Sequence, residues 1–157
     1  MSKIKRIAVV RVRGRAKTSI DVKNTLSKLR LSRVNYCTLI DDRKSYLSML
    51  AKVKDYVTWG KVDAEDVALI LRSRGELEGH KKLTDEYIKK NTKYKDIESF
   101  SKDFVKFKAE LEDIPLLKKF FRMHPPRGGH GKIKRSFVEG GALGKREGIK
   151  QLIYTMR

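Results

Sequence analysis

The chain has 157 residues, with 38 Lys plus Arg against 19 Asp plus Glu and a formal net charge of +19. A length close to the common domain size of roughly 100–150 residues permits one domain with its own core, and an apolar content of 39% excludes wholesale disorder. The single cysteine, Cys37, excludes an internal disulfide, and no Cys/His group has structural-zinc spacing, so the fold holds by packing alone.

Ile4 to Val12 is rich in β-branched residues and reads as a strand, with Ala8, Val10 and Val12 on one face and Arg11 and Arg13 on the other. Gly14 ends it, and Thr18 can cap a helix carrying Val22, Leu26 and Leu29 at i, i+4, i+7, with Asp21 in its first turn. Val34 to Ile40 is a second strand. Asp41 and Asp42 are cap candidates for a helix from about Arg43 to Lys52, with Tyr46, Leu50 and Val53 on one stripe. Tyr56 to Trp59 is a short third strand closed by Gly60. Residues 1–60 therefore spell β-α-β-α-β, an α+β unit of two layers with helices against one face of a sheet. The pattern alone leaves parallel and antiparallel pairing open.

Beyond residue 60 the reading is mostly helical. Asp63 opens a helix with Val67, Ile70 and Leu71 inward and Gly75 past its end, and Thr84 caps a short helix ending near Asn91. Phe100, Phe104 and Phe107 at i, i+4, i+7 predict one core-facing helix stripe. Leu116 to Met123 reads as a strand, and Phe137 with Val138 as a short one. A last helix places Ile149, Leu152, Ile153 and Met156 on one face. Between these elements lies a basic glycine-rich loop, with seven of the eleven glycines between residues 128 and 148.

No catalytic constellation emerges. Gly14 to Ser19 follows a strand and opens a helix, yet it lacks the four-residue spacer and second glycine of a phosphate-binding loop, and reads as a capped turn with a basic rim. Cys37 falls inside an apolar strand without an activating partner and reads as a buried thiol. His80, His124 and His130 are the only histidines and supply no third metal ligand. The expectation is a non-enzyme without cofactor or metal.

Charge is uneven along the chain: +7 over residues 1–17, +4 over 18–60, −1 over 61–114 and +9 over 115–157. The near-neutral middle looks like solvated helix surface, whereas the two ends look like surfaces for a polyanion. Glycine lets backbone N–H groups approach phosphate closely and Arg and Lys neutralise it. The candidate nucleic-acid contacts are therefore Lys3, Lys5, Arg6, Arg11, Arg13, Arg15 and Lys17 at one end. At the other they are Arg122, His124, Arg127, Gly128, Gly129, His130, Lys132, Lys134, Arg135, Lys145 and Arg146. A DNA-binding protein would concentrate basic residues on a recognition helix, an RNA-processing enzyme would need a general base or metal ligands, and a membrane module would need a cationic amphipathic helix. Here the basic density sits on a strand and a loop, and no apolar run approaches the roughly 18 residues that span a membrane. The first 17 residues mix Lys and Arg with aliphatics where a signal peptide would be apolar, so the expectation is a soluble intracellular protein.

Several strings carry a family likeness: Val34-Asn35-Tyr36-Cys37-Thr38-Leu39, Met49 through Gly60, His124-Pro125-Pro126-Arg127-Gly128-Gly129-His130, and Glu139-Gly140-Gly141-Ala142-Leu143-Gly144-Lys145-Arg146. Together they resemble the family of large-subunit ribosomal protein thirty in its archaeal type, whose eukaryotic counterpart is large-subunit protein seven. The resemblance implies a three-stranded antiparallel sheet with two helices over residues 1–60, similar to a ferredoxin-like core. It further implies an archaeal and eukaryotic extension over 61–157 packed on that core as one domain. It implies a cytoplasmic monomer within the large subunit that binds rRNA and supports assembly and translation without catalysis, leaving residues 61–114 open to neighbouring ribosomal proteins. The likeness is to the archaeal type, and contacts made by the long basic N-terminal arm of eukaryotic members are not expected.

Overall fold

The computed structural model describes residues 3–157. Its first elements are β1 (Arg6–Arg11), α1 (Ile20–Lys28), β2 (Tyr36–Asp41), α2 (Lys44–Val53) and β3 (Val57–Lys61). β1 is central and pairs antiparallel with both neighbours, from Arg6↔Asp41 to Val10↔Cys37 with β2 and from Ile7↔Lys61 to Arg11↔Val57 with β3. The remaining elements are α3 (Ala64–Arg74), a β4 (Glu76–Leu77) and β5 (Lys81–Lys82) hairpin, α4 (Asp85–Asn91), α5 (Ile97–Val105), β6 (Phe121–Arg122), β7 (Gly144–Lys145) and α6 (Ile149–Met156). β6 joins β2 antiparallel and β7 joins β3 parallel, so the sheet has five strands in the order β6-β2-β1-β3-β7 rather than three.

The expected two layers become three. Along β1, Ile7 and Val9 pack with Leu26, Leu29, Leu31, Leu50, Val53 and Val57 under α1 and α2. Ala8 and Val10 pack on the opposite side with Cys37, Leu39, Ile70, Leu71, Phe100, Phe104, Ile149 and Ile153, beneath α3, α5 and α6. The unbroken apolar run Ile7-Ala8-Val9-Val10 is the signature of a strand covered on both faces. Full burial of Phe100 and Phe104 contributes about 1.5–3 kcal/mol each, which makes the α3–α5 layer a substantial part of the core.

Helix boundaries follow local chemistry closely, with revisions. Ser19, not Thr18, caps α1, its hydroxyl accepting from the Val22 amide. Asp63 and Asp66 form a reciprocal capping box on α3, and Thr84 accepts from the Tyr87 amide at the start of α4. Neither Asp41 nor Asp42 caps α2, whose first turn has no side-chain cap; Asp41 instead holds Arg43 Nε at 2.8 Å and Asp42 holds the Lys5 amide at 2.8 Å. The phenylalanine stripe stops at Phe104, because the chain leaves α5 after Val105 and turns left-handed at Phe107 (φ 60°). The strand expected over Leu116–Met123 shrinks to the two residues of β6, with Leu116 also left-handed (φ 61°). Phe137 and Val138 lie in a 3-10 turn, not a strand.

Candidate nucleic-acid interface

The seven basic candidates of the N-terminal end divide by strand geometry. Side chains alternate across β1, and because both faces of the sheet are covered, alternation sends Arg6 and Arg11 into the protein. Arg6 is 4% exposed. Its Nε donates to the Phe104 carbonyl at 3.0 Å, its Nη2 to the Ala109 carbonyl at 3.3 Å and to Glu110 Oε1 at 2.6 Å, and its guanidinium lies 4.1 Å from the ring centres of both Phe104 and Phe107. Arg11 is 2% exposed; its Nη1 donates to the Leu31 carbonyl at 2.7 Å and its Nε to the Arg13 carbonyl at 2.9 Å. Burial, and then the nearby charge of Arg15, lowers the Arg11 pKa from its ordinary value. The expectation of phosphate contacts at Arg6 and Arg11 thus falls on guanidinium groups turned into the protein: Arg6 is held by two carbonyls and Glu110, and Arg11 by two carbonyls with its buried Nη2 left without a partner.

The other five remain at the surface. Lys3, Lys5, Arg15 and Lys17 are exposed and Arg13 is half-buried. Arg13 lies over the Tyr56 ring at 5.2 Å, and Arg15 donates from Nε and Nη2 to the Ser32 carbonyl at 3.3 and 3.0 Å. These contacts orient each guanidinium while leaving other donors to solvent.

The C-terminal end is more tightly built than its glycine content suggests. The His124 amide donates to the Met156 carbonyl at 3.0 Å and the Arg127 amide to the Thr155 carbonyl at 3.3 Å, tying the loop to α6. The amides of Ala142 and Leu143 donate to the carbonyls of Lys132 and Arg135, both at 3.1 Å, so the strip from 132 to 143 folds back on itself. Gly141 is required there, since a Cβ would lie 2.0 Å from the Arg135 carbonyl oxygen. Gly128 and Gly129 are exposed and left-handed, with φ of 82° and 80°. His124, Arg127, Lys132, Lys134, Arg135 and Lys145 are exposed, whereas His130 and Arg146 are half-buried.

Three of these candidates have internal partners. His130 Nε2 meets Asn35 Oδ1 at 2.8 Å, and burial followed by the charge of Arg146 lowers its pKa. Arg146 stacks on the Phe137 ring at 4.7 Å, and burial lowers its pKa. Arg122 is bound to Glu76, donating Nε to Oε2 at 3.0 Å. Glu76 also receives Lys118 Nζ at 3.0 Å and meets His80 Nδ1 at 2.6 Å, and the Arg122 hydrogen bond above all holds its carboxyl down to about 2. The Arg122 guanidinium is thus held by a carboxylate that it shares with Lys118. Cys37 is fully buried with its thiol pushed up to about 12 by desolvation, in keeping with a packing role.

The two charged ends of the sequence adjoin in space. Val12, just past β1, packs with Ala142 and Leu143 of the loop. β7 brings Lys145 beside Trp59, and Lys5, Lys61 and Lys145 line one hollow. Lys61 belongs to the segment whose charges cancel in sequence, so a segment count could not find it; only the register Ile7↔Lys61 places it next to the N-terminal strand.

A mixed five-stranded sheet, helices on both faces and cationic side chains gathered along one edge and one loop define a small basic α+β protein. Residues 7–57 match the family model described as ribosomal protein L30p/L7e. Relatives include large ribosomal subunit protein uL30 of Methanopyrus kandleri, 51% identical over 148 residues, covering 92% of this chain and 99% of that protein. The uL30 proteins of Archaeoglobus fulgidus and Methanocella arvoryzae are 48% and 44% identical, each covering 96% of this chain and 99% of the relative. The chain belongs to this ribosomal protein family, whose members named here are ribosomal proteins rather than enzymes.

Proposed function

We propose that this protein is a cytoplasmic structural component of the large ribosomal subunit that holds separate rRNA segments together through two basic surfaces. The observation that carries the reading is the set of exposed cations at the junction of β1, β7 and the glycine-rich loop, in a chain half identical to a large-subunit protein. One surface joins Arg13, Arg15 and Lys17, beyond the end of β1, with Lys132, Lys134 and Arg135 of the loop that packs on Val12. The other joins Lys5, Lys61 and Lys145. Lys3, His124, Arg127, Gly128 and Gly129 extend these surfaces; His130 and Arg146 hold the loop in place, and Arg122 contributes less because its guanidinium is engaged by Glu76. Each surface takes side chains from both 1–60 and 61–157, so the two parts act as one domain. Phosphate neutralisation supplies the affinity, and A-form RNA is read mainly by shape and 2′-hydroxyls.

The helical side formed by α3 and α5, where acidic and basic residues nearly cancel, suits a neighbouring ribosomal protein better than RNA. Sedimentation of tagged protein through a sucrose gradient tests the assignment. Stable co-migration with large subunits is expected, and recovery only in the light fractions overturns it.

A further inference from the structure

From the geometry at the open edge of the sheet we infer that the hollow floored by Trp59 is a pocket for one unpaired RNA nucleotide, its base stacked on the indole and its phosphate held by Lys5, Lys61 and Lys145. The inference rests on the RNA-binding reading above and specifies what part of an RNA that edge takes.

Register puts these groups together. Trp59 stands opposite Val9, and Lys61 opposite Ile7, on the β1–β3 ladder; Lys145 stands opposite Trp59 on the β3–β7 ladder. Lys5 precedes Ile7 by two residues, and its carbonyl accepts the Asp42 amide at 3.0 Å just beyond the β1–β2 ladder. Side chains at two-residue spacing and at paired positions leave a sheet on the same side, so all three lysines project on the side of Ile7 and Trp59, beside Leu47 of α2. They enclose a hollow of about 560 Å³, within the range of roughly 300–1,000 Å³ typical of small-ligand clefts.

The composition of the hollow is unusual for an idle surface. Trp59 packs against the core beneath α1 and α2 and is half-buried, with part of its surface lining the hollow, so an aromatic side chain already held by packing meets an entering base. Lys5, Lys61 and Lys145 are exposed, and among the described residues none forms an ion pair with a carboxylate. Asp42 and Glu147 also line the rim, but Asp42 Oδ1 accepts the Lys5 amide at 2.8 Å and three ammonium groups outnumber two carboxylates. The cations crowd one another: contact with Lys61 lowers the Lys5 pKa, burial and then Lys145 add to it, and the nearby Asp42 carboxylate opposes it without reversing it. A phosphate entering among them relieves that repulsion. An aromatic side chain with a cationic rim is the arrangement by which proteins hold unstacked bases, whereas the paired interior of an RNA duplex offers no free ring face to Trp59.

Trp59 is the only tryptophan, so its emission reports on this pocket alone. The intact protein is titrated with a single-stranded RNA hexamer and with a longer RNA duplex that stays paired under the assay conditions, compared at equal phosphate concentration and both end-labelled so that binding is read independently by anisotropy. Saturable quenching by the hexamer, with duplex binding that leaves the emission unchanged, is the expected result. Lys61→Gln is expected to weaken hexamer binding at least about three-fold, and to weaken duplex binding less than that. Trp59→Leu is expected to weaken hexamer binding at least about five-fold, the effect of one lost base–aromatic stack, and Trp59→Phe to restore it. Should Trp59→Leu fold poorly, the exposed Lys61→Gln still decides. Hexamer binding without quenching, or quenching by the duplex to the same extent, overturns the pocket while leaving the RNA-binding reading intact. Saturation by uridine monophosphate alone as readily as by the hexamer overturns it in favour of a free-nucleotide site. Failure to bind either RNA overturns both readings.

Discussion

The guanidinium of Arg6 is sandwiched 4.1 Å from the ring centre of Phe104, and its Nε donates to the carbonyl of that same residue at 3.0 Å. The contact spans 98 positions of sequence and joins the central strand to the helix layer on the far side of the sheet. A buried arginine with three acceptors and two aromatic faces acts as a structural clamp. Charged hydrogen bonds contribute about 1.5–3 kcal/mol and a desolvated cation–π contact about 2 kcal/mol, and these overlap in a single side chain. Arg6→Ala is expected to lower unfolding free energy by about 2–4 kcal/mol in urea denaturation. RNA affinity measured where the variant remains folded should stay within two-fold of the parent; a large drop in affinity without loss of stability would return Arg6 to the list of phosphate contacts.

Acid sensitivity should centre on Glu76, which joins β4 to Lys118, His80 and Arg122. Its folded pKa of about 2 lies below its ordinary value of 4.5. The stabilisation it brings is therefore complete above the ordinary value and is lost as pH falls toward about 2. Urea midpoints of the parent and Glu76→Gln should differ most near neutral pH and converge at the acid end of that window. A gap that persists unchanged at pH 2 would show that packing, not charge, accounts for the effect. The same substitution releases Arg122, so RNA affinity at low salt should rise modestly.

Local signals in the sequence located most elements, because caps and 3.6-residue stripes depend on near neighbours: Asp63, Thr84 and the Ile149–Met156 face all do what their spacing implies. What was not legible depends on distant chain. Arg6 and Arg11 look like free cations beside a strand until the 61–157 segment covers one face and α1 with Leu31 covers the other. Phe107 continues a helical spacing perfectly, yet the helix has already ended and its ring turns to cap Arg6. Lys61 reads as one charge in a neutral segment and becomes part of a cationic edge only through its pairing with Ile7. Charge counts along the sequence therefore located the basic regions but not the individual residues free to bind.

Gly141 tests whether the loop's shape matters apart from its charge. A methyl group there would lie 2.0 Å from the Arg135 carbonyl oxygen and 2.6 Å from the Arg135 Cβ, so the strip 132–143 has to open. Overpacking of this kind costs about 1–3 kcal/mol, here confined to a surface loop. Gly141→Ala is expected to speed hydrogen exchange at the Ala142 and Leu143 amides and to weaken RNA binding at least about three-fold, with α3 and α5 protected as before. Unchanged RNA affinity alongside a loosened loop would mean that the cations act independently of the fold that carries them.

Salt dependence separates free cations from clamped ones. If about eight phosphates are neutralised, log affinity for an rRNA fragment should fall with log salt at a slope of about −6 to −7, and a slope shallower than about −3 would contradict the two-surface model. Replacing Lys132, Lys134 and Arg135 together by Gln removes three exposed cations and should make the slope less steep by about 2–3. Arg11→Gln, by contrast, should leave the slope unchanged while destabilising the fold, because the Arg11 guanidinium faces the Leu31 and Arg13 carbonyls rather than solvent. A slope change at Arg11 as large as that from one loop lysine would mean that the N-terminal strand opens to let this arginine reach RNA.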